Sequence, residues 1–190
     1  MTVDAAHSPT TGDDHSSQVA CGLISDQDLL GKFVSAQMMA YFRAKFPDLD
    51  HTTLETRICE LLKFLILMKF SPGRILFRQE IDDVWHNWIL QTRQYRQLCE
   101  TLPGNFFRHH SSMDYPETAT AAEAISKADG AQRILSFFIS YYRNFGPFTR
   151  KRLECWPTLQ RFKRRSGWNL KELNNFLRHQ AFGAISAGHV

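Results

Sequence analysis

Asp82 and His86 stand four residues apart in the run IDDVWHNWIL, and the chain then closes on His109 and His110 after a turn at Pro103-Gly104. On a helix, side chains at i and i+4 share a face one turn apart. A carboxylate and two imidazoles are ligand types that zinc and non-haem iron accept, because deprotonated groups must converge on the ion from several directions. Asp82, His86 and one of His109 and His110 are therefore the expected ligands of a divalent metal, iron or zinc. Neighbouring histidines in a loop point opposite ways, so the spacing leaves open which of the two takes part. Tyr95 and Cys99 follow on the same predicted helix and are the candidate catalytic acid–base or supporting groups. Trp85, Trp88 and Ile89 flank the pair and are expected to wall it from bulk water. The function expected from this set is a small metal-dependent enzyme acting on a small-molecule substrate in a biosynthetic or tailoring step. Iron would suit oxygen chemistry and zinc would suit hydrolysis.

The same segment supports a second chemistry. His86, Arg93, Arg96, Arg108, His109 and His110 are the right types to converge on an anionic ligand, a phosphate or a carboxylate. A third feature lies downstream. Between Arg143 and Arg165 there are eight Lys or Arg residues and one Glu, interleaved with Phe148, Trp156, Phe162 and Trp168. Cations beside aromatic rings are what nucleic-acid surfaces use. No helix-turn-helix or zinc-finger pattern accompanies them, so a solvated basic face is the plainer reading. The alternative to the enzyme is thus a non-catalytic binding protein that engages nucleic acid or an acidic partner through segment 143–165.

The elements that must position these groups are helical. The expected fold class is all-α, a compact bundle of four to five helices. Residues 1–20 are polar and aperiodic, which predicts a disordered tail; residues 21–182 form one helical domain, and 183–190 fray. Ser25 and Asp28 have capping-box spacing and open a predicted helix over 26–45, which Pro47 ends. Thr52 and Glu55 repeat that spacing before a helix that runs to Lys69 and is apolar on most sides, so it should lie at the centre. A third helix is predicted over 79–101, a fourth over 119–145 ending at Gly146-Pro147, and a weaker fifth over 170–179 after a basic loop.

Aromatic residues make up 13% of the chain, with 15 Phe, so the core should be built on rings. The four cysteines form no CxxC pair, which argues against a zinc knuckle, and a cytoplasmic, reducing setting is expected. The apolar run from Leu61 to Phe70 is interrupted by Lys63 and Lys69 and is too short to span a bilayer, so no membrane role is expected.

Asp82, Trp85, His86, Ile89, Leu90, Thr92, Tyr95, Cys99, Gly104, His109 and His110 compose a pattern D-x-x-W-H, I-L, T, Y-x-x-x-C and a closing H-H. With LLKFLILMKFSP upstream, and YYRNFGPF and Trp156-Pro157 downstream, it resembles the bacterial proteins named glycine-rich domain-containing protein-like. It is similar, too, to the repeated unit of plant glycine-rich domain proteins. The resemblance spans about residues 55–158 and implies a helical fold and candidate positions, but no reaction. Many such relatives read W-H-x-H, where this chain has Trp88 in place of the second His.

Overall fold

The computed structural model describes residues 23–68, 77–102 and 122–183, with side chains of the last stretch described from Gly130 onward. The predicted tail over 1–20, the C-terminal residues beyond 183, and His109 and His110 lie outside the described residues. The all-α expectation holds: among the described residues there are nine helices and no strand. These are α1 (Asp26–Phe33), α2 (Ala36–Lys45), α3 (His51–Met68), α4 (Gln79–Leu90), α5 (Thr92–Thr101), α6 (Ala122–Phe145), α7 (Arg150–Glu154), α8 (Pro157–Arg165) and α9 (Leu170–Phe182). None of them is long and apolar enough to cross a membrane.

Helix α3 is the hub, packing against α1, α2, α4, α6 and α7. Its apolar residues Ile58, Leu61, Leu62 and Leu65 are fully buried, as its sequence demanded. Rings fill the space around it. Phe64 meets Phe77, Trp85, Phe137 and Trp156, with centroids 4.7–6.4 Å apart and the planes tilted or edge-on. Tyr141 stacks on Phe148 at 4.3 Å.

Helix starts follow local chemistry. Ser25 and Asp28 form the expected capping box on α1. On α3 the cap is Asp50 rather than Thr52: its carboxylate accepts the Thr53 N–H at 2.9 Å. Two predicted helices are each split. Val34 is extended (φ −116°, ψ 107°) and Ser35 caps a new helix by accepting the Met38 N–H, so the predicted 26–45 helix becomes α1 and α2. Gln91 (φ −89°, ψ 67°) divides the predicted 79–101 helix into α4 and α5. The apolar stripe of Ile81, Val84, Trp85 and Trp88 continues in phase through Tyr95, Leu98 and Cys99, so periodicity does not register that break.

The expected basic loop after residue 149 is two helices. Thr149 caps α7 and Pro157 opens α8 from its first turn. Gly146 ends α6 at φ +76°, a left-handed conformation suited to glycine, with its N–H on the Tyr142 carbonyl at 3.0 Å. The Asn174 side chain of α9 then grips the linker, accepting from the Phe148 N–H at 2.8 Å and donating to its carbonyl at 2.9 Å.

Candidate functional site

Asp82 and His86 share a face of α4, as spacing required. Their side chains are 22% and 51% exposed, so the pair stands at the surface. The imidazole Nδ1–H donates to the Asp82 carbonyl oxygen at 2.9 Å, and Nδ1 lies 3.2 Å from Asp82 Oδ2. Among the described residues, the expected wall of Trp85, Trp88 and Ile89 does not enclose the pair: Ile89 is partly buried against the core. Trp85 and Trp88 are buried in the core, because two indoles bring far more apolar area there than to a polar surface. Trp88 meets Phe42 edge-on at 5.3 Å, and its indole nitrogen has no hydrogen-bond partner among the described residues.

Tyr95 and Cys99 are buried in α5. The Tyr95 hydroxyl accepts from the Trp85 indole N–H at 3.1 Å, which ties α5 to α4 across the break at Gln91. Burial, the largest cause, raises the Tyr95 phenol well above its ordinary value, which leaves it neutral. Among the described residues no group of three or more His, Cys, Asp or Glu side chains is placed to hold a metal. Arg93 and Arg96 are exposed on α5.

A cluster that sequence reasoning missed lies at the centre of the molecule. Glu60 and Lys63, one turn apart on α3, are both fully buried. Glu60 accepts from the Tyr141 hydroxyl at 2.7 Å, from the Trp156 indole N–H at 2.6 Å and from the Lys63 ammonium at 2.7 Å. Lys63 also pairs with Asp26 Oδ1 at 2.7 Å and lies over the Tyr141 ring at 5.4 Å. Arg152 completes the set, donating to Asp26 Oδ2 at 2.8 Å with its Nε 3.9 Å from Glu60. Two carboxylates thus face two cations, which is how buried charge is tolerated.

Burial acts to raise the Asp26 carboxyl, but hydrogen bonds and charge from Lys63 and then Arg152 outweigh it and hold the group below its ordinary 3.8. Burial, then the Glu60 charge, drives the Tyr141 hydroxyl well above its usual range. The Cys59 and Cys155 thiols are pushed up to about 12, chiefly by burial, so both are inert at neutral pH. The readable signal for this cluster was Glu60 with Lys63 at i,i+3 inside an otherwise apolar helix.

The basic segment divides by role. Arg152 belongs to the buried network, and Arg143 donates to the Ala181 carbonyl at 2.7 Å near the end of α9. Phe148 and Trp156 are core residues, so they are withdrawn from any surface and cannot stack on a ligand. What remains outside is a groove of about 680 Å³ bordered by Arg150, Arg161, Lys163, Arg164, Glu154 and Trp168. None of its four cations is in an ion pair among the described residues. Lys163, Arg164 and Arg165 also sit in the last turn of α8, where cations complement the helix dipole.

These features define an all-helical domain with a buried charge network and a basic face. The profile of the UCP032817-like family matches residues 27–153, and the chain belongs to that family. This corrects the resemblance to glycine-rich domain-containing proteins. Much of the pattern that suggested it, including Trp85, Tyr95, Cys99 and Trp156, is core, and buried residues at helical spacing recur in unrelated helical proteins. The W-H-x-H comparison falls with it, and Trp88 stands as a packing residue. No curated protein and no solved structure matches the chain.

Proposed function

We propose that this protein is a binding protein that holds a polyanionic partner across the face formed by α7 and α8. The observation that carries this reading is the groove, where Arg150, Arg161, Lys163 and Arg164 surround a single carboxylate, Glu154. Cations left without ion partners around a concavity attract an anion and recover Coulomb energy that a flat solvated face does not. Retention on heparin tests it. The wild-type protein is expected to bind and to elute in a salt-dependent way. The double variant Arg161→Glu, Arg164→Glu should elute at lower salt, with a log K against log salt slope shallower by about one for each contact removed. Unchanged elution of that variant would remove this face from consideration.

A second reading is favoured by the hydrogen bond between His86 Nδ1 and the Asp82 carbonyl. Ligating imidazoles commonly donate their other ring N–H to a carbonyl or carboxylate, and His86 Nδ1–H does so toward the Asp82 carbonyl beside its carboxylate. His86 Nε2 would then bind the iron or zinc, with Asp82 orienting the ring or joining as a ligand and His109 or His110 completing the set. In that reading the protein is the metal-dependent enzyme expected above. Elemental analysis of untagged protein separates the two: a stoichiometric metal favours the enzyme, and metal-free protein retained on heparin favours the binder. His86→Ala should lower metal content at least tenfold with the helical circular dichroism spectrum kept, and an unchanged content would exclude His86. A cytoplasmic setting suits the three described cysteines, all free thiols.

A further inference from the structure

We infer that the polyanion is a single strand of nucleic acid, with its phosphates on Arg150, Arg161, Lys163 and Arg164 and an unpaired base against Trp168. This rests on the polyanion reading and adds a commitment to the ligand. Trp168 borders the same groove as the four cations. It is brought there by the turn that ends α8. Gly167 is left-handed at φ +69° and donates its N–H to the Arg164 carbonyl at 3.2 Å, while the Trp168 N–H reaches the Lys163 carbonyl at 3.1 Å. That pair of bonds is a Schellman closure, which folds the residue after the glycine back alongside the last helical turn. The backbone of Trp168 is thereby tied to the residues whose side chains carry the positive charge.

The indole is also held in place. Phe162 packs edge-on to it at 5.5 Å and Phe176 lies against it at 4.9 Å, yet Trp168 is only half-buried. A ring already fixed by packing gives up little side-chain entropy when a ligand stacks on it. An acidic peptide would use the cations but engages a flat ring only where it carries an aromatic or proline side chain. A nucleic acid uses both, since every base has a π-face and every linkage a phosphate. Within a duplex the base faces are covered by their neighbours, so only an unpaired strand presents one to Trp168.

The test uses the full chain and a fluorescein-labelled oligo-dT of roughly a dozen nucleotides, followed by anisotropy. The single strand is expected to bind more tightly than a hairpin duplex of equal charge and to resist competition by polyglutamate. Trp168→Ala should weaken it about tenfold with an unchanged salt slope, Trp168→Phe should restore most of the affinity, and Trp168→Leu should not. Heparin elution of each variant reports whether the basic face is still folded. Equal affinity for duplex and single strand, or a Trp168→Leu variant that binds like wild type, overturns the stacked base while leaving the polyanion reading intact. Displacement by polyglutamate in preference to the oligonucleotide assigns the groove to an acidic protein and also overturns it. Failure to bind heparin as well removes both readings together.

Discussion

On α3 the Glu60 carboxylate and the Lys63 ammonium, three residues apart, are fully buried and share partners from α1, α6 and α7 and the first residue before α8. On α4 the Asp82 carboxylate and the His86 imidazole, four residues apart, stand at the surface and are 22% and 51% exposed. Both pairs satisfy the same rule of helical spacing, and both combine an acid with a base. Burial separates them. In the core an unmatched charge costs several kcal/mol, so each member of the Glu60 network depends on the others. At the surface water screens the pair, and its contribution to folding falls to about 1 kcal/mol or less. The inner pair is therefore committed to holding helices together, whereas the outer pair contributes little to the fold.

The largest effect expected from this contrast is at Glu60. Glu60→Ala removes the shared acceptor of Lys63, Tyr141 and Trp156 and leaves the cations of Lys63 and Arg152 facing Asp26 alone, so it should cost about 3–5 kcal/mol in urea unfolding. Replacing both members, Glu60→Met with Lys63→Leu, should recover much of that loss, because no charge is then left unmatched. If the single variant costs less than about 1 kcal/mol, the network does not hold the helices together.

A smaller effect is expected at Asp26, which is about a third exposed and bridges Lys63 and Arg152. Asp26→Asn should destabilise by about 1–2 kcal/mol at neutral pH. The sign of its pH dependence follows from its lowered carboxyl. The stabilising contribution is complete above the unfolded value near pH 4 and is lost as pH falls through the lower folded value. Chemical denaturation in steps from about pH 6 to pH 2.5 should show the gap between wild type and Asp26→Asn closing on the acid side. A gap that stays constant would mean the charge of Asp26 is not what matters.

The smallest effect is expected at the outer pair. His86→Ala should change unfolding stability at neutral pH by about 0.5 kcal/mol or less. A loss of 2 kcal/mol or more would erase the distinction between the two pairs and make His86 structural.

Much of the scaffold was legible because local chemistry is written locally. The Ser25 capping box, the Gly146-Pro147 stop and the buried character of α3 all follow from a few adjacent residues. The breaks at Val34 and Gln91 were not legible, since no glycine or proline marks them and the apolar stripe of α4 continues in phase into α5. The two helices of the basic segment were missed because α7 has five residues and α8 buries little besides Leu159, although Pro157 was a start signal in plain view. The central network was misread for a different reason. Lys63 looks like an interruption in an apolar run, and its meaning depends on Asp26, Tyr141, Trp156 and Arg152, none of which is near it in the chain. The surface pair was found by spacing, but its surroundings were not, because spacing does not say which face of a helix the fold will cover.

The reach of that network has a consequence for how the protein is made. Glu60 waits 81 residues for the Tyr141 hydroxyl and 96 residues for the Trp156 indole. At a synthesis rate of about 5–20 residues per second, α3 emerges from the ribosome roughly 5–20 s before its charges can be matched. During that interval the most apolar helix of the molecule cannot be sealed, since closing it early would bury an acid and a base without most of their partners. Withdrawal of α3 from water is thus deferred until the C-terminal third has been translated.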